Sequence, residues 1–100
     1  MKKYGLELPK HKVDVLTSMG FKRTVESEPT MSMLNVMVSM ERWDCLEEFV
    51  NHKLYIHFLE NEPAYCHLYS GDSEIDENFS ERNLVSELKK RGFTVKSENE

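Results

Sequence analysis

The sequence predicts one α+β domain over residues 1–100: a small antiparallel or mixed sheet of four to five strands, two main helices packed on one face, and one short extra helix. Three observations carry this expectation. Residues 54–69 set two runs rich in aromatic and β-branched side chains on either side of Asn61-Glu62-Pro63, the pattern of a β-hairpin. Residues 30–40 alternate as a strand does. Two segments with helical apolar spacing each stop at a glycine followed by a phenylalanine. Runs of strands flanked by helices suggest a sheet with its helices on one side.

Residues 1–8 read as a short strand or a lead-in. Pro9 suits the first turn of a helix. Val13, Leu16 and Met19, helped by Val15, continue it to Gly20, which supplies a left-handed stop, so that Phe21 folds back on Leu16. Residues 21–27 read as a strand that Pro29 breaks. Residues 30–40 form the second, long strand. Leu34, Val36, Val38 and Met40 share one of its faces, with Leu34, Val36 and Val38 expected beneath the helices, and Met31, Met33, Asn35, Met37 and Ser39 share the other.

Asp44-Cys45-Leu46-Glu47 has the form of a capping box, and Leu46, Phe49 and Val50 follow as an apolar stripe. A short helix over 44–52 is expected, with Trp43 buried at its start. In the hairpin, Leu54, Ile56, Phe58, Ala64, Cys66 and Leu68 form a core face, and Tyr55, His57, Leu59, Tyr65, His67 and Tyr69 the opposite one. Looping residues 61–63 pairs His57 with His67 and Tyr55 with Tyr69.

Residues 70–78 read as an acidic loop. Asp72, Glu74 and Asp76 match three calcium-loop positions, but Glu77 stands where Gly is needed and Asn83 where a bidentate Glu is needed. Ser80 is the expected N-cap of the second main helix, with Phe79 and Leu84 as a hydrophobic staple. Glu81 at one end and Lys89, Lys90 and Arg91 at the other complement the helix dipole. Gly92 ends the helix, residues 93–96 read as a last strand, and a polar tail follows from about residue 97. The two helix ends match at Val13, Leu16, Gly20, Phe21 and Val85, Leu88, Gly92, Phe93.

Hydrophobic content of 39% with 31% charged residues suits a folded chain rather than a disordered one. No apolar run approaches the roughly 18 residues of a membrane span, and no apolar region follows Met1-Lys2-Lys3-Tyr4-Gly5. Cys45 and Cys66 have no metal spacing. A reduced, cytoplasmic setting without membrane contact is therefore expected, with a disulfide between the two cysteines as the alternative.

The net charge of −5 is unevenly spread. Residues 1–23 carry six Lys/Arg against two acids, whereas residues 41–81 carry eleven acids against Arg42 and Lys53 alone. That balance opposes direct nucleic-acid binding by the middle of the chain, because phosphate contacts need Lys and Arg. It suits either a solvated acidic face or a surface complementary to a basic protein.

The predicted partner-binding residues are Tyr55, His57, Tyr65, His67 and Tyr69, with Met33 and Met37 beside them and Asp72, Glu74, Asp76 and Glu77 as an acidic rim. Tyr and Met are enriched in interface cores. No enzyme activity and no cofactor are expected. Cys66 and His67 are adjacent in a strand and point apart. Cys45 lies in a predicted helix N-terminal turn without a histidine to activate it. There is no glycine-rich phosphate loop.

The expected function is that of a small acidic interaction protein that binds, and inhibits or neutralises, a larger and more basic protein such as a nucleic-acid-handling enzyme. Phage-encoded defence antagonists and toxin-neutralising immunity proteins share this physical profile. Two alternatives use the same patch: closure of a homodimer, or metal binding at His57 and His67, which supply two of the three or four ligands that zinc needs.

Overall fold

The computed structural model describes residues 6–47, 49–71 and 73–95, with residues 47 and 73–78 described by backbone alone. Its centre is a six-stranded antiparallel sheet. The strands are β1 (Lys22–Glu26), β2 (Thr30–Met31), β3 (Met37–Glu47), β4 (Val50–Leu59), β5 (Glu62–Ser70) and β6 (Ser73–Ser80). They lie in the order β1-β3-β4-β5-β6, and β2 pairs with the start of β3. Helix α1 (Lys10–Ser18) precedes the sheet. A 3₁₀ turn (Glu81–Asn83) and helix α2 (Leu84–Lys90) follow it.

This architecture corrects the expected one. The sheet has six strands rather than four to five, and the helices are short elements of nine and seven residues. The helix expected over 44–52 does not form: residues 44–47 end β3 and residues 50–52 begin β4, with Glu47 paired to Val50. The physical reason lies in the side chains that suggested it. Asp44 caps nothing; it accepts from Arg42 Nε and Nη2, each at 2.8 Å, and from Asn51 Nδ2 at 3.2 Å. The apparent apolar stripe is the hairpin tip, where Leu46 is 73% and Phe49 98% exposed. Trp43 is buried as expected, but from within β3.

The strand expected over 30–40 is two strands. Ser32 N–H donates to Val36 O at 2.8 Å, the Ser32 hydroxyl accepts from Leu34 and Val36 N–H, and Asn35 takes a left-handed conformation (φ 62°). This tight turn resets the alternation. Met37 packs against the core, Ser39, Glu41, Trp43 and Cys45 follow it inward, and the Val38–Met40 phase points away, the reverse of the expected assignment.

In the β4–β5 hairpin both faces are as read: Leu54, Ile56, Phe58, Ala64, Cys66 and Leu68 are all buried. The pairing differs by two residues, with Tyr55 opposite His67, His57 opposite Tyr65, and Lys53 opposite Tyr69. The loop is Glu60-Asn61, where Asn61 takes φ 67°. A slip of one residue would exchange the faces; a slip of two preserves them, so alternation alone does not choose between the two registers. The expected acidic loop over 70–78 is a turn at Gly71 (φ 62°) followed by β6. Residues 93–95 form no strand, and the lead-in of residues 1–5 and the tail from residue 96 lie outside the described residues.

Both helix stops are as read. Phe21 N–H donates to Leu16 O at 3.0 Å and Gly20 N–H to Thr17 O at 3.0 Å, with Gly20 at φ 98°. Phe93 N–H donates to Leu88 O and Gly92 N–H to Lys89 O, each at 3.1 Å, with Gly92 at φ 94°. These are two copies of the Schellman motif. Ser80 caps the second helical segment by accepting from Arg82 N–H at 3.2 Å. Leu16, Met19 and Phe21 from α1 and its stop, and Leu84, Leu88 and Phe93 from α2 and its stop, are buried with the inward residues of β3, β4 and β5 in one core. Each such side chain contributes about 1.5–3 kcal/mol by leaving water. Lys12 joins the helical segments, with Nζ 2.6 Å from Glu81 Oε1 and 2.8 Å from Glu81 O.

A polar network closes this core at its N-terminal side. Glu41, 2% exposed, accepts from Trp43 Nε1 at 2.9 Å, Arg23 Nη1 at 3.4 Å and Leu8 N–H at 3.5 Å. The Ser39 hydroxyl donates to Leu6 O at 2.7 Å. A carboxylate at a core position is tolerated because each oxygen has a donor.

Candidate functional site: the uncovered face of the sheet

Every side chain that α1 and α2 bury belongs to the inward set, so neither helix covers the outward face of the sheet. That face carries Tyr55, His57, Leu59, Tyr65, His67 and Tyr69, all half-buried against one another. Strand alternation puts them there, and the observed register decides who touches whom. His57 stacks on Tyr65, with centroids 4.9 Å apart and planes at 21°. His67 meets His57 edge-on at 5.3 Å and Tyr65 at 5.6 Å. Tyr55 meets Tyr69 edge-on at 5.5 Å. The five aromatic residues predicted for partner binding are thus brought together.

The other predicted residues separate. Met33 is fully exposed at the tip of the β2–β3 turn, away from the aromatic group. Met37 faces the core. The cause for both is the turn at residues 32–36, which the sequence reading ran through as strand. Asp72 lies outside the described residues. Glu74, Asp76 and Glu77 are in β6 by backbone, with Glu74 opposite Tyr69 and Asp76 opposite Leu68. Their side chains are outside the description; the backbone places these three residues along β6, with Asp76 across from the buried Leu68.

Two residues of this face were not anticipated. Arg42 and Lys53, the lone cations of residues 41–81, both lie beside Tyr55. The Arg42 guanidinium stands 5.8 Å from the Tyr55 ring centroid and is held there by Asp44. That hydrogen bond lowers the Asp44 pKa below the ordinary carboxylate value and raises that of Arg42. Lys53 was legible, because it alternates in phase with Tyr55. Arg42 was not, because its face depends on where β3 starts.

Two shallow depressions meet at His57. One, of about 340 Å³, is lined by Lys53, Tyr55, His57, His67, Tyr69 and Gly71. The other, of about 330 Å³, includes Glu28, Thr30, Val38, Met40, Leu59 and Tyr65. Burial, and then the neighbouring His67, hold the His57 imidazole pKa below its ordinary value. A neutral imidazole stacks on a phenol ring without the desolvation cost of a charge.

Among the described residues no group of three or more His, Cys, Asp or Glu is placed to hold a metal ion. Cys45 is buried within β3, 3.9 Å from Met19 O, and not in the helix N-terminal turn expected for it. Burial, with a smaller contribution from Glu81, pushes the Cys66 thiol up to about 12, far from a reactive thiolate. No helix of the described residues is long and apolar enough to cross a membrane.

The arrangement therefore defines a class, a small sheet-and-helix domain with one aromatic sheet face left open among the described residues. Comparison with family models, with curated proteins and with solved structures returns no match.

Proposed function

We propose that this chain is a small non-enzymatic interaction protein whose open sheet face docks on a larger, more basic protein and inhibits or neutralises it by occupying its surface. One observation carries the reading: both helices pack on the opposite face, leaving Tyr55, His57, Tyr65, His67 and Tyr69 contiguous, half-exposed and uncovered among the described residues. An aromatic patch of this kind is the usual centre of a protein interface. The acids of residues 41–81 supply the sign of the partner and would raise its association rate. A nucleic-acid-handling enzyme is a partner of that charge; on this reading the chain is of the same physical type as phage defence antagonists and immunity proteins and acts in the cytoplasm.

The test uses a photo-crosslinking amino acid at position 69 to trap the partner, followed by binding measurements with the purified pair. Tyr55→Ala with Tyr69→Ala is expected to leave the circular dichroism spectrum unchanged and to weaken binding at least about 100-fold, since central aromatic anchors carry most interface energy. Unchanged affinity overturns the reading. So does a chain that sediments as a dimer and that Tyr55→Ala dissociates, because the face then belongs to a second copy.

A further inference from the structure

We propose that the depression between the β1–β2 connection and the outward residues of β3, β4 and β5 is an anchor pocket for an arginine side chain of the partner. The inference rests on the docking role of the open face and names the chemistry that one part of it recognises. Val38, Met40 and Leu59 give the pocket apolar walls suited to the methylene stem of a long side chain. Glu28, an exposed residue, is part of its lining, and Tyr65, stacked with His57, adds a ring. Among the described residues that line it none is Lys or Arg. In this it differs from the neighbouring depression, which contains Lys53. The other nearby acid, Glu60, is engaged by Met37 N–H at 2.9 Å.

The choice of arginine over lysine follows from the planar guanidinium, which stacks on rings while its edge binds a carboxylate. The chain shows this pairing within itself. Arg42 stands over Tyr55 while Asp44 holds its edge, and Arg23 stands 5.2 Å from the Trp43 centroid while Glu41 accepts from it. In the pocket, Tyr65 and Glu28 are the corresponding ring and carboxylate for a cation from outside.

The test reads the methyl resonances of protein carrying ¹³C-labelled methionine, titrated at low salt with end-blocked tetra-arginine, tetra-lysine and tetra-glutamate peptides. Met40 reports the pocket, and the fully exposed Met33 is the internal control. Tetra-arginine is expected to shift Met40 saturably and leave Met33 in place. Glu28→Gln, a change at an exposed site, is expected to weaken that binding about threefold, as loss of a rim ion pair does. Tetra-lysine is expected to bind more weakly, and tetra-glutamate not at all. Equal binding of lysine and arginine peptides overturns the guanidinium assignment. If tetra-arginine moves the Tyr55 and Tyr69 ring signals but not Met40, the anchor pocket is overturned and the docking face stands. If no peptide perturbs either, the anchor pocket is overturned, and the docking face is decided separately by the affinity of the crosslinked partner for Tyr55→Ala with Tyr69→Ala.

Discussion

Phe21 and Phe93 lie with ring centroids 5.2 Å apart and planes at 41°. Each is the residue after a helix-ending glycine, and each folds back on its own helix through the same hydrogen bond. The two stops therefore meet, and the repeated sequence pattern has a packing consequence. Phe93→Ala is expected to cost about 3–5 kcal/mol, the usual price of a large core truncation. A double-mutant cycle with Phe21→Ala is expected to show about 0.5–1.5 kcal/mol of coupling between the rings. Urea unfolding of the four proteins measures both; strictly additive losses would deny the contact.

Gly92 tests the stop itself. Its φ of 94° is unfavourable for any residue with a side chain, yet a Cβ there would meet nothing within 4 Å. Gly92→Ala should therefore cost about 1–2 kcal/mol through backbone conformation alone. The core packing signals of Leu88 and Phe93 should be unchanged in nuclear magnetic resonance spectra of that variant. A neutral substitution would mean that the left-handed stop does not form.

Glu41 is expected to be a structural carboxylate. Glu41→Ala strands the Trp43 indole N–H and the Leu8 N–H, each buried donor costing about 1–3 kcal/mol when left unpaired. Glu41→Gln keeps one acceptor and should lose less. The order Ala worse than Gln, read from denaturation midpoints, checks the network; equal losses would assign the effect to packing.

His57 predicts a pH dependence. Its folded-state pKa is lowered by burial and by His67, so the unfolded chain binds the proton more readily. Stability then rises with pH wherever the unfolded state holds more protons. The contribution of His57 is full above its unfolded pKa of about 6.5 and is lost as pH falls through the lower folded value. Unfolding free energies measured from about pH 5 to 7.5 should fall toward acid, and His57→Gln should reduce that slope. A slope unchanged by the substitution would place the titration elsewhere.

The hairpin register has a direct check. Cross-strand backbone contacts should join Tyr55 to His67 and His57 to Tyr65. Contacts joining His57 to His67 through the backbone would restore the register with the three-residue loop. Either way the same six side chains face outward, so this measurement separates pairing from face.

Much of the molecule was decided locally, and those parts were legible. The two faces of residues 54–69, both glycine stops, the Ser80 cap and the burial of Trp43 follow from period-two alternation, left-handed φ and side-chain volume, which belong to short stretches of chain. The charge asymmetry is likewise a property of the sequence. Tertiary structure alone decided the rest. A two-residue slip leaves alternation intact, so the register waited on the Asn61 turn. Leu46, Phe49 and Val50 have helical spacing, yet their surroundings made them a hairpin tip. The phase of β3 depended on the Ser32–Val36 turn and on a buried carboxylate that Trp43, Arg23 and Leu8 satisfy from distant positions. That phase placed Met40 and Arg42 on the open face and Met37 in the core, because a strand's alternation specifies which residues share a side but not which side meets water.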